Sequence, residues 1–247
     1  MSLAWPDGYA LREWDEIDST NEEARRLAAS GERGPVWLRA DKQTAGRGRR
    51  GRAWESPTGN LAATLLISPD RPAAECAQLS FVTAIATADA ASSFAPSADV
   101  KVKWPNDVLA SGKKLAGILL ESASGSSATP TYLAIGIGMN LAHFPPETEF
   151  PATSLAALGV AAPSPSAALT QLAAQFAKWY DVWMTTGFSS IRDAWLARAA
   201  GLGTHIRARL TNEETHGLFE GIDHTGALIL RETQDRVRTI AAGEVFF

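Results

Sequence analysis

The sequence is poor in the residues that hold exported or metal-stapled proteins together. A single cysteine, Cys76, stands among 247 residues, so no internal disulfide forms, and four histidines offer no Cys/His set spaced for zinc. Long apolar runs are lacking as well. The longest uncharged stretch, Phe150 to Ala177, is interrupted by Pro151, Pro163 and Pro165 and carries Ser, Thr and Gln, which excludes a lipid-facing helix. The N-terminus is broken by Pro6, Asp7, Arg12 and Glu13, so it has no apolar signal-peptide core. Positive charge is not in excess: 23 Lys+Arg against 27 Asp+Glu give a net charge of -4, against wholesale wrapping of a nucleic acid. These absences describe a cytoplasmic protein without a membrane span. What remains, 45% hydrophobic and 20% charged, suffices for a well-buried core.

The order of elements predicts an α/β protein. Ser19 precedes Glu22 by three residues and Ala24, Leu27 and Ala28 follow at helical spacing, a capping-box start for a first helix. Strands are expected at Val36 to Ala40, Leu61 to Ile67 and Val100 to Trp104, with a long loop from Asp41 to Asn60 and an Ala-rich helix from Ala74 to Phe94. Pro105-Asn106-Asp107 ends the third strand. Leu115 to Leu120 and Tyr132 to Leu141 read as a hairpin whose flexible tip is Ser122 to Thr129. A second long loop, His143 to Thr153, leads to helices at Ser166 to Thr186 and Ser189 to Ala200. Phe176, Tyr180 and Trp183 form a core stripe on the first of them. From Thr204 on, short alternating segments (Ile206 to Leu210, Gly217 to Ile222, Ala227 to Leu230, Val237 to Ile240) predict a small all-β module. The expected division is residues 1–200 and 201–247.

Chemistry concentrates in three places. Between residues 41 and 55, Lys42, Arg47, Arg49, Arg50 and Arg52 stand against Asp41 and Glu55, a local balance of +3. Gly46, Gly48 and Gly51 among them let backbone N–H groups approach an anion that the guanidinium groups grip. The run also satisfies G-x-G-x-x-G, but Pro57 and Gly59 break the helix that a dinucleotide loop must open, and no Lys-Ser/Thr ending makes it a P-loop. A solvated basic surface loop or an RNA-binding tract is the competing reading of the motif. Lys103-Trp104-Pro105-Asn106-Asp107, followed by Lys114-Leu115-Ala116-Gly117, is the second place. Taken singly, these are a turn and a solvated lysine. The third is Gly136-Ile137-Gly138-Met139-Asn140, where strand-interior glycines mean either space kept for a ligand or a bulge and tight sheet packing.

In order, Asp18-Ser19-Thr20-Asn21, Gln43 to Trp54, Lys103 to Asp107, Lys114 to Gly117 and Gly136 to Asn140 resemble the blocks of the biotin protein ligases. Gly221-Ile222-Asp223, Gly226-Ala227-Leu228 and Gly243-Glu244-Val245 are similar to that family's small SH3-like end domain. The resemblance implies a mixed sheet flanked by helices as catalytic domain, with a C-terminal SH3-like β-barrel. It implies that biotin and MgATP form biotinyl-5′-AMP, whose acyl group passes to a lysine of a biotin carboxyl carrier domain of acetyl-CoA carboxylase or a similar carboxylase. Ser19, Thr20, Asn21 and Gln43 would hold the ureido head of biotin, Gly117 and Gly138 would keep its slot open, Gly46 would also bind biotin, and Gly48 would contact carboxylate and phosphate. Arg47, Arg49 and Lys114 would be the catalytic cations between carboxylate and α-phosphate. Arg52, Trp54, Asn106 and Asn140 would serve ATP, Trp54 by stacking on adenine and Asn140 by reading its edge. Asp107 would support magnesium. Both long loops would close over the acyl-adenylate and exclude water.

Departures from the family pattern shape the remaining expectations. Ala62 stands where many relatives carry an aromatic side chain, which would loosen the packing behind the loop. The segment 142–153 matches no pattern. Only 18 residues precede Ser19, too few for a helix-turn-helix, so no DNA binding is expected. The carrier domain is expected to dock by extending a sheet edge, and a homodimer through such an edge stays open. The competing functions are a lipoate ligase and a noncatalytic nucleic-acid binder whose affinity falls steeply with salt.

Overall fold

In a computed structural model the protein is described over residues 3–124, 128–233 and 236–247. Two sheets organise it. The larger has seven strands: β1 (Ala10–Ile17), β2 (Val36–Gln43), β3 (Leu61–Ile67), β4 (Val100–Lys103), β5 (Asp107–Ala110), β6 (Lys113–Ser124) and β7 (Pro130–Met139). They lie in the order β1-β2-β3-β7-β6-β5-β4; β1 and β2 run parallel and the remaining neighbours antiparallel. The apolar run of β3 is explained by its position: every residue is buried between β2 and β7.

The two faces of this sheet differ. Leu61, Leu65, Ile135, Ile137 and Met139 point to the main core, where α3 (Leu79–Phe94), α4 (Pro165–Thr186) and α5 (Phe188–Leu196) lie. Phe176 and Trp183 are fully or nearly buried there and Tyr180 is partly buried, as the stripe predicts. On the opposite face, α1 (Thr20–Ala29) buries Ala24 and Ala28 against Val36, Leu38, Leu66 and Ala134. The helix is short and covers only part of that face, so the rest stays open.

The smaller sheet comprises β8 (His205–Arg209), β9 (Glu214–Ile222), β10 (Leu228–Arg231), β11 (Val237–Ile240) and β12 (Glu244–Phe246), all antiparallel in the order β11-β10-β9-β8-β12. It is joined to the first unit by buried contacts, among them Trp104 Nε1 donating to Gly226 O at 3.0 Å.

Several elements differ from expectation. β1 is absent from the sequence reading because Arg12, Glu13, Asp15 and Glu16 break its alternation; as an edge strand it needs no apolar face. β5 is hidden inside a segment that reads as a turn, and a tight turn with positive φ at Ser111 (49°) and Gly112 (75°) joins it to β6. The third strand stops at Lys103, leaving Trp104 in the turn. The Ala-rich helix is two pieces, α2 (Ala73–Cys76) and α3. β12 is a further strand at the C-terminal end of the chain. Ser19 is the N-cap of α1, but its side chain makes no capping hydrogen bond, so the capping box does not form. The expected hairpin tip includes residues 125–127, which lie outside the described residues.

Candidate functional site

The open face of the large sheet is a grid in which cross-strand partners share a side. One row runs Ala40, Ala62, Gly138, Gly117, Asp107, Lys103. The next runs Leu38, Thr64, Gly136, Leu119, and the third Val36, Leu66, Ala134, Glu121. α1 covers the third row and its first turn reaches the second. The first row has small residues or none where side chains would stand, and above it lies a cleft of about 510 Å³. Ala62 is buried on this floor, 2% exposed, beside Gly138.

At one end of the cleft Thr20 and Asn21 rest on the second row. A Cβ at Gly136 would stand 2.3 Å from Asn21 Oδ1, so glycine is what admits this side chain. Asn21 Nδ2 donates to Glu121 Oε2 at 2.8 Å. The Thr64 hydroxyl lies 2.6 Å from Asn21 Oδ1 and 2.7 Å from Thr20 Oγ1. The Thr20 N–H donates to Gln43 Oε1 at 2.8 Å, and Gln43 Nε2 donates to Ser56 Oγ at 2.9 Å. This pole is neutral, buried and internally hydrogen-bonded.

The other end is cationic. Lys114 Nζ lies 2.7 Å from Asp107 Oδ1, a buried oxygen that has no hydrogen bond in line and is left to this ion pair. Lys103 Nζ is 3.6 Å from Oδ2 of the same carboxylate and 4.2 Å from the centre of the Phe150 ring. Burial pushes the Lys103 ammonium below the ordinary lysine range, against the pull of Asp107. Arg49 donates weakly from Nη1 to Asn106 Oδ1 at 3.3 Å and to Gly243 O at 3.4 Å. Among the described residues it has no carboxylate within ion-pair distance, and burial, followed by Arg50, lowers its pKa.

The segment between β2 and β3 is not the featureless loop expected. β2 continues to Gln43, then the chain doubles back, with Trp54 N–H donating to Gly46 O at 3.0 Å and Gly48 N–H to Arg52 O at 2.7 Å. Gly46 does not line the cleft; a Cβ there would meet Trp54 O at 2.4 Å, so it permits the doubling back. Trp54 lies on the glycine floor, where a Cβ at Gly138 would come within 2.2 Å of the indole and one at Gly117 within 3.1 Å. The indole is therefore in the slot bordered by the glycines, where the sequence reading had it stacking on adenine.

Apart from Gly46, all the singled-out residues border this one cleft. Some side chains are already engaged. Arg47 Nη2 is 3.4 Å from Glu121 Oε1 and 3.5 Å from Glu22 Oε2, and Arg52 pairs with Glu244 of β12. Asn140 Nδ2 donates to Thr153 O at 3.0 Å, and Asn106 Nδ2 to Ile118 O at 2.6 Å while its Oδ1 accepts from Arg49. Asp107 does not suit a magnesium ligand, since two ammonium groups face its carboxylate, and no metal-holding group of three His, Cys, Asp or Glu occurs among the described residues.

Sequence reasoning missed Thr64, Ser56 and Glu121 at the neutral pole, and Glu149, Phe150, Glu244 and Phe246 at the cationic one. Thr64 had a signal: it is polar inside an apolar strand, and it is fully buried. The segment 142–153 closes one wall, with Glu149 Oε1 accepting from Arg209 Nη1 at 2.5 Å and Arg209 Nη2 donating to Glu244 at 2.5 Å. Asn60 anchors the start of that segment by accepting the N–H groups of Leu141, Ala142 and His143, each at 3.0 Å.

A mixed sheet whose glycine floor joins a neutral hydrogen-bonding pole to a cationic one, closed by a C-terminal β module, has the makings of a site for a ligand with a polar neutral head and an anionic end. Comparison with known proteins gives the family. The Biotin/lipoate A/B protein ligase family matches residues 16–140, and the biotin protein ligase C-terminal domain matches residues 201–247. A relative in Paracoccus denitrificans, biotin–(acetyl-CoA-carboxylase) ligase, is 50% identical over 93% of this chain and 97% of its own. The bifunctional ligase/repressor BirA of Bacillus subtilis is 35% identical over 96% of this chain and 74% of its own. The solved biotin protein ligase of Aquifex aeolicus in complex with biotin and ATP superposes with a TM-score of 0.82 at 26% identity, covering 96% of this chain and 97% of that one. The chain belongs to the biotin/lipoate A/B protein ligase family.

Proposed function

We propose that the protein activates biotin with ATP and transfers it to a lysine of a biotin carboxyl carrier domain. In the first step a biotin carboxylate oxygen bonds to the α-phosphorus and pyrophosphate leaves, giving biotinyl-5′-AMP. In the second the lysine amine attacks the acyl carbon and AMP leaves. Biotin would lie along the glycine floor with its ureido head at the Ser19, Thr20, Asn21 and Gln43 pole and its carboxylate toward Lys114. The observation that carries this reading is Arg49, a partly buried guanidinium that among the described residues has no carboxylate partner, lining the same cleft as the Lys114–Asp107 pair.

Two anions repel as they approach, so cations fixed where the new bond forms lower the barrier. Lys114 and Arg49 would serve there, with Arg47 exchanging Glu121 and Glu22 for the incoming carboxylate. Lys103 adds a third positive charge at the cationic pole. Trp54 would leave the glycine floor as biotin enters, roof the slot and exclude water from the mixed anhydride. Magnesium would enter with ATP as part of the nucleotide substrate, and no step is assigned to it at Asp107. The acceptor is expected to be the carrier domain of acetyl-CoA carboxylase or a similar carboxylase, docked on a sheet edge.

The test is pyrophosphate release with ATP and magnesium in the presence of biotin, lipoate or no acid. Release that depends on biotin supports the proposal. Release with lipoate alone reassigns the substrate, and release with neither overturns the adenylation reading.

A further inference from the structure

The neutral pole is a directional chain of hydrogen bonds, and its outer end is an acid that the reaction does not use. Glu121 projects from β6 in the third row of the grid, outside the cleft lining. Its Oε2 accepts from Asn21 Nδ2 at 2.8 Å. Asn21 is 5% exposed, so its amide finds few partners in water. An amide side chain has nearly the same shape with either end forward, and only its partners decide which way it lies.

A carboxylate accepts and never donates when ionised. Glu121, at 2.8 Å the nearer of the two acceptors of Nδ2 beside Leu119 O at 3.4 Å, therefore requires Nδ2 on its side, and Asn21 Oδ1 is turned to the Thr64 hydroxyl, 2.6 Å away. Thr64 has one proton, and giving it to Oδ1 makes the Thr20 hydroxyl, 2.7 Å away, the donor to Thr64 Oγ1. Gln43 is oriented separately, by the Thr20 backbone N–H on its Oε1 at 2.8 Å, and presents Nε2 to Ser56. The orientations of Asn21, Thr64 and Thr20 depend on one another in this order. We infer that Glu121 is a positioning residue: by fixing the Asn21 amide it sets the pattern of donors and acceptors at the head pole. The identity of the head as biotin's rests on the proposed function; the orientation of Asn21 does not.

Glu121 also stands near Arg47, so a role through charge must be separated from a role through hydrogen bonding. Glu121→Gln retains an oxygen that can accept from Asn21 and loses the charge; Glu121→Ala loses both. The first readout needs no ligand: hydrogen exchange of the Asn21 side-chain amide, followed by NMR. Protection is expected in the wild type and Glu121→Gln, and its loss in Glu121→Ala. The second is steady-state pyrophosphate release. Glu121→Ala is expected to raise the KM for biotin about tenfold or more, with the KM for ATP within about twofold. Glu121→Gln is expected to bring the biotin KM back to within about threefold of wild type.

Wild-type protection and biotin KM in Glu121→Ala would overturn the inference. So would Glu121→Gln behaving as Glu121→Ala, which would assign the residue to the charge of Arg47. Absence of biotin-dependent release in the wild type, together with the expected exchange pattern, would overturn the biotin reading and leave the positioning role standing.

Discussion

The two poles of the cleft are built on opposite principles. At the neutral pole Thr20, Asn21, Gln43, Thr64 and Ser56 satisfy one another, and no formal charge enters the cleft from that group. At the cationic pole Lys103 and Lys114 share one carboxylate, Asp107, and among the described residues Arg49 has no acid within ion-pair distance. Satisfied dipoles discriminate, because a wrong head leaves buried donors or acceptors unpaired. Excess cations attract, and their mutual repulsion is relieved when carboxylate and phosphate arrive. The first pole should thus govern which acid binds and the second how fast it reacts.

The comparison breaks most visibly at Lys114. Its side chain is 28% exposed and packs into no core, so Lys114→Ala should remain folded by circular dichroism. Biotin-dependent pyrophosphate release should fall about 10²- to 10³-fold, mostly in kcat, as for removal of a fixed charge from a transition state. Normal release would remove Lys114 from the reaction. Arg49→Ala should cost roughly 10²-fold in the same assay. It should also weaken the hold on the loop, because Arg49 bridges Asn106 and Gly243. An effect on biotin KM alone, in either variant, would contradict the division between the poles.

How much of this could be read without coordinates follows the same division. The cationic pole is made of charged residues, rare enough in tight clusters to stand out, and Arg47, Arg49, Lys103 and Lys114 are visible in the chain. The neutral pole is assembled from positions far apart: Asn21 meets Glu121 across a separation of 100 residues, and Thr64 meets Asn21 across 43. No local periodicity reports such a contact. Strands with a buried apolar pattern, such as β3 and β7, are legible for the physical reason that burial selects their side chains. β1 is exposed on most of its length, and β5 is four residues long beside a proline turn, so neither carries that signature. The contribution of β12 is hidden for another reason: Glu244 reads as an ordinary surface acid until folding places Arg52 and Arg209 beside it.

The floor between the poles offers a smaller test. A Cβ at Gly138 would fall 2.2 Å from the Trp54 indole, so Gly138→Ala must displace that ring or the loop carrying it. The KM for biotin should rise about tenfold while the KM for ATP changes by less than about twofold. Tryptophan fluorescence before substrate is added would report the displaced indole. Equal losses toward both substrates would show that the floor serves the nucleotide as much as the acid.

The smallest effect at neutral pH, and the most specific, concerns Lys103. Burial disfavours its charged form, so its ammonium titrates below the ordinary lysine range even with Asp107 beside it. Activity that uses this charge is complete below the folded-state pKa and is lost as pH rises through it. Stability has the opposite sign. Between the lowered folded value and the ordinary one, the unfolded chain binds more protons, so stability gained from this group grows with pH across that window. Lys103→Arg keeps a positive charge well beyond the lysine range. The alkaline limb of kcat/KM should therefore move to higher pH, with the rate at pH 7 within about fivefold of wild type. An unmoved limb would mean that the charge on Lys103 serves only to hold Asp107 against Lys114, and that the two remaining cations carry the reaction.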